Sequence, residues 1–148
     1  MGECSEKLLL VVPAEATEIP RVTEFFHTAL DRYSCPRSAQ TQLDVAVEEL
    51  FANICMYAYR DAEANVERSV RLTQAICADP PSVTVEIIDA GVPFDPLAKP
   101  DAATVDEYED IEDLPIGGLG ILMAKSNVDE IRYAREGECN VMTLVKRW

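Results

Sequence analysis

Between about Ser38 and Tyr59 the residues Leu43, Val47, Leu50, Ile54 and Ala58 fall along one line of a helix, and Ala46, Phe51 and Met56 widen it. A stripe that broad at a 3.6-residue period marks a helix facing a core. The rest of the chain must supply that core. With 148 residues the chain is long enough for one compact domain and short for two, so residues 1–148 read as a single unit.

The remaining segments supply one more helix and several strands. From Ile19 to Tyr33 the apolar residues Val22, Phe25, Phe26, Ala29 and Leu30 recur at helical spacing until Ser34-Cys35-Pro36 breaks the pattern. Ser69 to Ala78 and Val83 to Asp89 alternate with a period of two across a turn at Pro80-Pro81, and Val128 to Arg135 and Cys139 to Lys146 flank Glu136-Gly137-Glu138 as a hairpin. Glu6 to Pro13, a compact Leu/Val run, suits a first strand buried on both faces or lying at a subunit contact. Strands that are apolar mainly on one side need a single covering layer. The expected class is therefore α+β, a two-layer sandwich with a mostly antiparallel mixed sheet and helices on one face.

Charge and cysteine content narrow the function classes. Thirteen Lys and Arg against 27 Asp and Glu give a net charge of −14, which repels nucleic-acid backbones and anionic lipid heads, and no local basic patch intervenes. The run Leu8 to Val12 is far too short to span a membrane, so the expected location is cytoplasmic. Five scattered cysteines, Cys4, Cys35, Cys55, Cys77 and Cys139, show no metal-ligand spacing and read as reduced small hydrophobes. His27 is the single histidine and has no evident acid partner.

Three short motifs could carry chemistry. On the core helix, Glu49 and Asn53 are four residues apart and project to the same side, either as solvated helix residues or as groups sharing one ligand. Asn53, a poor helix former, flanks the apolar stripe, where an amide needs a reason. Asp89 ends a strand on the same face as Val83, Val85 and Ile87, and Gly91 follows at once. It is either a turn cap or an acceptor at the base of a pocket. Gly117, Gly118 and Gly120 precede a short helix, where backbone amides can approach an anion or serve only as a hinge.

Taken in order, E-L-F-A-N (Glu49 to Asn53), D-A-G-V-P-F-D-P (Asp89 to Pro96) and G-G-L-G-I-L-M-A-K (Gly117 to Lys125) resemble the Bergerat-fold ATPases shared by gyrase, heat-shock chaperones, histidine kinases and mismatch-repair proteins. The resemblance is closest to the bacterial anti-sigma-factor serine/threonine kinases. It implies ATP and Mg²⁺ as cofactors, with Asn53 holding the metal, Glu49 acting as general base and Asp89 accepting from the adenine amino group. By the same resemblance Gly91 would let the backbone turn under the base. Gly118 and Gly120 would line the phosphates, with Leu119 in the same binding stretch, and residues of about 97–116 would form the ATP lid.

The implied partners are a sigma factor or similar regulator and a small antagonist protein phosphorylated on Ser or Thr. A homodimer is compatible with this reading. Within the lid, Asp101, Asp106, Glu107, Glu109, Asp110, Glu112 and Asp113 place seven acids and no base between Asp101 and Asp113, half of the net charge. Phosphoryl transfer depends on electrostatic stabilisation, so this departure supports an alternative expectation, a catalytically weak protein-binding module gated by ATP.

Overall fold

The computed structural model of the chain describes residues 4–98 and 118–148. Five strands form one sheet in the order β1-β2-β3-β5-β4: β1 (Leu8–Pro13), β2 (Ser69–Ala78), β3 (Pro81–Asp89), β4 (Glu130–Glu136) and β5 (Cys139–Arg147). All four pairings are antiparallel, so the expected mixed sheet is in fact uniform. Two of the four are tight hairpins, β2–β3 and β4–β5, which can only pair antiparallel. Among the described residues three α-helices complete the fold: α1 (Ile19–Arg32), α2 (Arg37–Asn53) and α3 (Gly118–Asn127).

Strand register decides which face carries the core. Leu72, Ile87 and Met142 stand in one row across β2, β3 and β5, and Gln74, Val85 and Leu144 in the next. These rows and the apolar stripes of α1 and α2 form one buried cluster, so the helices cover that face. The opposite face carries Glu86, whose Oε1 accepts from the Thr73 hydroxyl and from Lys7 Nζ. The two-layer expectation therefore holds. The cluster is densely filled, with Phe26, Leu43, Phe51 and Leu144 almost fully buried. Truncating one of these aromatics to Ala removes about 3–5 kcal/mol, a large part of a small domain's stability.

The break between α1 and α2 has a definite geometry. Ser34 adopts a left-handed conformation with φ 57°, its N–H bonds to Asp31 O, and the Cys35 N–H reaches back to Leu30 O. This closes the open carbonyls at the helix end in a Schellman arrangement. Gln40 on α2 then donates to Asp31 Oδ1 and Cys35 O, fixing how α2 departs.

Three local expectations need correction. Strand β1 is an edge strand, with Val12 buried and Leu8, Leu9 and Val11 exposed, and is not buried on both faces. Cys4 and Cys77 form a disulfide, because the N-terminal segment bridges the end of β2 and brings residues 73 apart in sequence side by side. The remaining free cysteines are Cys35, Cys55 and Cys139. Burial pushes the thiols of Cys35 and Cys55 up to about 11, so they stay protonated and inert at neutral pH. His27 does have an acid partner. Its Nε2 lies 2.8 Å from Asp44 Oδ2, which ties α1 to α2.

Candidate functional site

Helix α2 ends at Asn53 and continues as one π-helical stretch, Ile54–Ala58. A π-turn adds a residue to the turn and re-aims the side chains that follow, an arrangement common at functional sites. Here it delivers Tyr57 and Ala58 toward the end of β3. Tyr59, just beyond, is buried; its hydroxyl donates to Ser69 O at 2.7 Å and accepts from the Ala90 N–H at 2.8 Å. Burial raises its pKa, which keeps the hydroxyl proton needed for the first of those bonds.

Between the π-turn and the strand ends lies an open cleft of about 560 Å³, counted out to its mouth. Leu50, Ile54, Val92, Phe94 and Met142 give it apolar walls, and Asn53, Asp89 and Asn140 are its polar members. Apolar walls with a few convergent polar groups characterise sites for flat organic ligands.

The cleft brings two of the sequence-derived candidates together. Asp89, 6% exposed, accepts from the Gly91 N–H at 2.9 Å and from Asn140 Nδ2 at 3.0 Å, both on Oδ1. Its Oδ2 carries no hydrogen bond among the described residues. So the carboxylate is both a turn acceptor and a cleft-lining acceptor, and the two readings of Asp89 coincide. Asn53 borders the same cleft and makes no side-chain hydrogen bond among the described residues, so its amide remains available.

Gly91 lies in the chain between the cleft-lining residues Asp89 and Val92 and packs on Ala58, which also lines the cleft. A Cβ there would come within 2.4 Å of Ala58 O, so only glycine lets this backbone pass the π-turn, and the neighbouring Val92 N–H bonds to that carbonyl at 3.3 Å. Glu49, one turn before Asn53, does not border the cleft and instead meets α3. Its Oε2 would lie 2.6 Å from a Cβ on Gly120. Gly118 opens α3, followed by Leu119, whereas Gly117 and all of the expected lid beyond Leu97 and Ala98 lie outside the described residues. The seven acids of that segment lie there too.

The residues fit both cofactors that the resemblance implies. The open Oδ2 of Asp89 between apolar walls suits an amino-substituted purine edge. The Asn53 amide offers the kind of neutral oxygen that Mg²⁺ accepts when phosphates and water fill its other positions. Among the described residues no group of three His, Cys, Asp or Glu could hold an ion unaided, so any metal here would depend on the nucleotide for ligands.

Sequence reasoning missed Asn140. On β5 it stands opposite Asp89 and shares a face with the buried Met142 and Leu144, so a polar residue interrupts an apolar face as at Asn53, and the period of two along Cys139 to Lys146 would have exposed it.

Comparison with known proteins bears on the family and the fold. Residues 12–146 match the family described as the histidine kinase-like ATPase domain. The chain belongs to that family. It is 26% identical over 145 residues to the serine-protein kinase RsbW of Listeria monocytogenes, covering 97% of this chain and 89% of that protein. A solved Mycobacterium tuberculosis structure of RsbU and RsbW domains superposes with a TM-score of 0.65 at 17% identity, over 97% of this chain. Only 32% of the Mycobacterium chain is matched, so that likeness speaks to the fold of one part of it. As a member of the family, the chain has the histidine kinase-like ATPase fold, and Asn53 and Asp89 both border its cleft. No helix among the described residues is long and apolar enough to cross a membrane.

Proposed function

We propose that the protein is an ATP-dependent serine/threonine kinase of the anti-sigma regulatory type, acting in the cytoplasm on a small antagonist protein and binding a sigma factor or similar regulator. The observation that carries this reading is the convergence of Asp89 and Asn53 on one apolar cleft, with Glu49 one helical turn away beside Gly120. The relative RsbW, named a serine-protein kinase, supports the reaction class.

In this reading Asp89 Oδ2 accepts from the purine amino group and the apolar walls hold the ring. Mg²⁺, bound through Asn53, supplies charge neutralisation at the phosphates. Glu49 takes the proton of the incoming serine hydroxyl, a role open to a carboxylate set apart from the base cleft. Gly118 and Gly120, at the start of α3, give a phosphate close access to backbone amides.

The seven acids between Asp101 and Asp113 favour a second reading, in which ATP only gates a protein interface. Incubation of the protein with labelled ATP, Mg²⁺ and candidate antagonist proteins separates the two. A kinase transfers label to serine or threonine; a gated module binds ATP and transfers nothing.

A further inference from the structure

Asn140 plays no part in the chemistry above, yet it is heavily bonded for one side chain. It is 4% exposed on β5. Its Nδ2 donates to Asp89 Oδ1 at 3.0 Å and to Val92 O at 2.8 Å. Its Oδ1 accepts from the Tyr133 hydroxyl at 2.6 Å, from the Phe94 N–H at 3.2 Å and from Arg135 Nη1 at 3.2 Å. Two acceptors on one side and three donors on the other define which way the amide faces. Neither a carboxylate nor a hydroxyl could replace it, since only an amide offers two donors and an acceptor on one plane.

The consequence falls on Asp89. With the Gly91 N–H and Asn140 Nδ2 both on Oδ1, rotation of the carboxylate would break two buried hydrogen bonds, so Oδ2 stays toward the cleft. The same amide pins the backbone of Val92 and Phe94, and Arg135 Nη1 holds Gly91 O at 2.8 Å. Tyr133 and Arg135 belong to β4 and do not border the cleft, yet both reach it through Asn140.

We propose that Asn140, oriented by Tyr133 and Arg135, is a positioning residue for base selection that holds Asp89 and residues 91–94 to favour a purine with an amino group at position 6. The proposal rests on the nucleotide reading of this cleft. A purine with a carbonyl at that position sets acceptor against acceptor, and a carboxylate locked on its other oxygen cannot turn away to relieve the conflict. A free Asp89 would discriminate less.

The test titrates the full chain with MgATP and MgGTP by calorimetry and records the melting temperature of each unliganded variant. In Asn140→Ala, ATP affinity should fall about tenfold and the ATP-over-GTP preference should shrink with it. Tyr133→Phe and Arg135→Gln leave Asn140 in place and should narrow the preference by about two- to fivefold. They decide the matter if Asn140→Ala fails to fold. Asn140→Asp sets a second carboxylate against Asp89, and such a pair binds a shared proton more readily than either acid alone. That proton restores a donor to Oδ1, so ATP affinity relative to wild type should recover as the pH falls from about 8 to about 6. A plain structural brace would lower melting temperatures and leave the ATP-over-GTP ratio alone; that result in every variant overturns the proposal. If the wild type itself binds neither nucleotide, the reading of the cleft fails. If it binds ATP and Asp89→Asn weakens binding while the Asn140, Tyr133 and Arg135 variants keep their preference, only the positioning role fails.

Discussion

Glu49 Oε2 lies so near Gly120 that a Cβ on that glycine would come within 2.6 Å of it. The contact is with the far end of a flexible side chain, so Gly120→Ala can be accommodated if the carboxylate moves aside. The melting temperature should change by no more than about 4 °C. Phosphotransfer should fall by about tenfold or more, because a displaced base loses its reach to the hydroxyl. Transfer at the wild-type rate would show that Gly120 does not set the position of Glu49.

Glu49→Gln and Asn53→Ala should part binding from transfer. A base acts on the transferred proton alone, whereas a metal ligand also supports nucleotide binding. Glu49→Gln should keep MgATP affinity and lose label transfer; Asn53→Ala should lose both. Equal loss of affinity in the two variants would contradict the assigned roles.

Asp89→Asn replaces the open acceptor with an amide, and ATP binding should weaken by roughly 1–3 kcal/mol. Calorimetry reads this directly. Unchanged affinity would leave Asp89 as a turn residue that merely borders the cleft.

At Gly91 the clash is with backbone, the carbonyl of Ala58, which cannot swing away. Gly91→Ala should cost about 1–3 kcal/mol of folding stability and displace the Val92 N–H from Ala58 O. Urea unfolding measures the loss. A fully stable variant would mean that the π-turn is softer than its packing indicates.

Two carboxylates should give opposite pH signatures. Burial holds Asp44 above the ordinary range despite its hydrogen bond to His27, so the folded chain binds that proton more tightly than the unfolded chain. Wild type should therefore gain stability relative to Asp44→Asn as the pH falls through the carboxylate range. The hydrogen bond from Lys7 holds Glu86 below the ordinary range. Its contribution is present above the unfolded pKa and is lost as the pH falls through the folded one, so wild type should lose ground to Glu86→Gln. Urea titrations across acidic pH compare the slopes, and parallel slopes would refute the assignment.

The amino-acid order by itself determined the elements and their faces: the α2 stripe, the alternation in β2 and β3, and the β4–β5 hairpin around Gly137, whose φ is 62°. It also marked Asn53 and Asp89, because a polar residue set in an apolar periodic run is a local anomaly. Tertiary structure alone decided the rest. That Asp44 meets His27, that Cys4 reaches Cys77 and that Asn140 locks Asp89 depend on distances across helices and strands. The reason is physical. Periodicity reports which face of an element a side chain occupies, while a hydrogen bond needs two elements placed to within a few tenths of an ångström, and only the packed core supplies that placement.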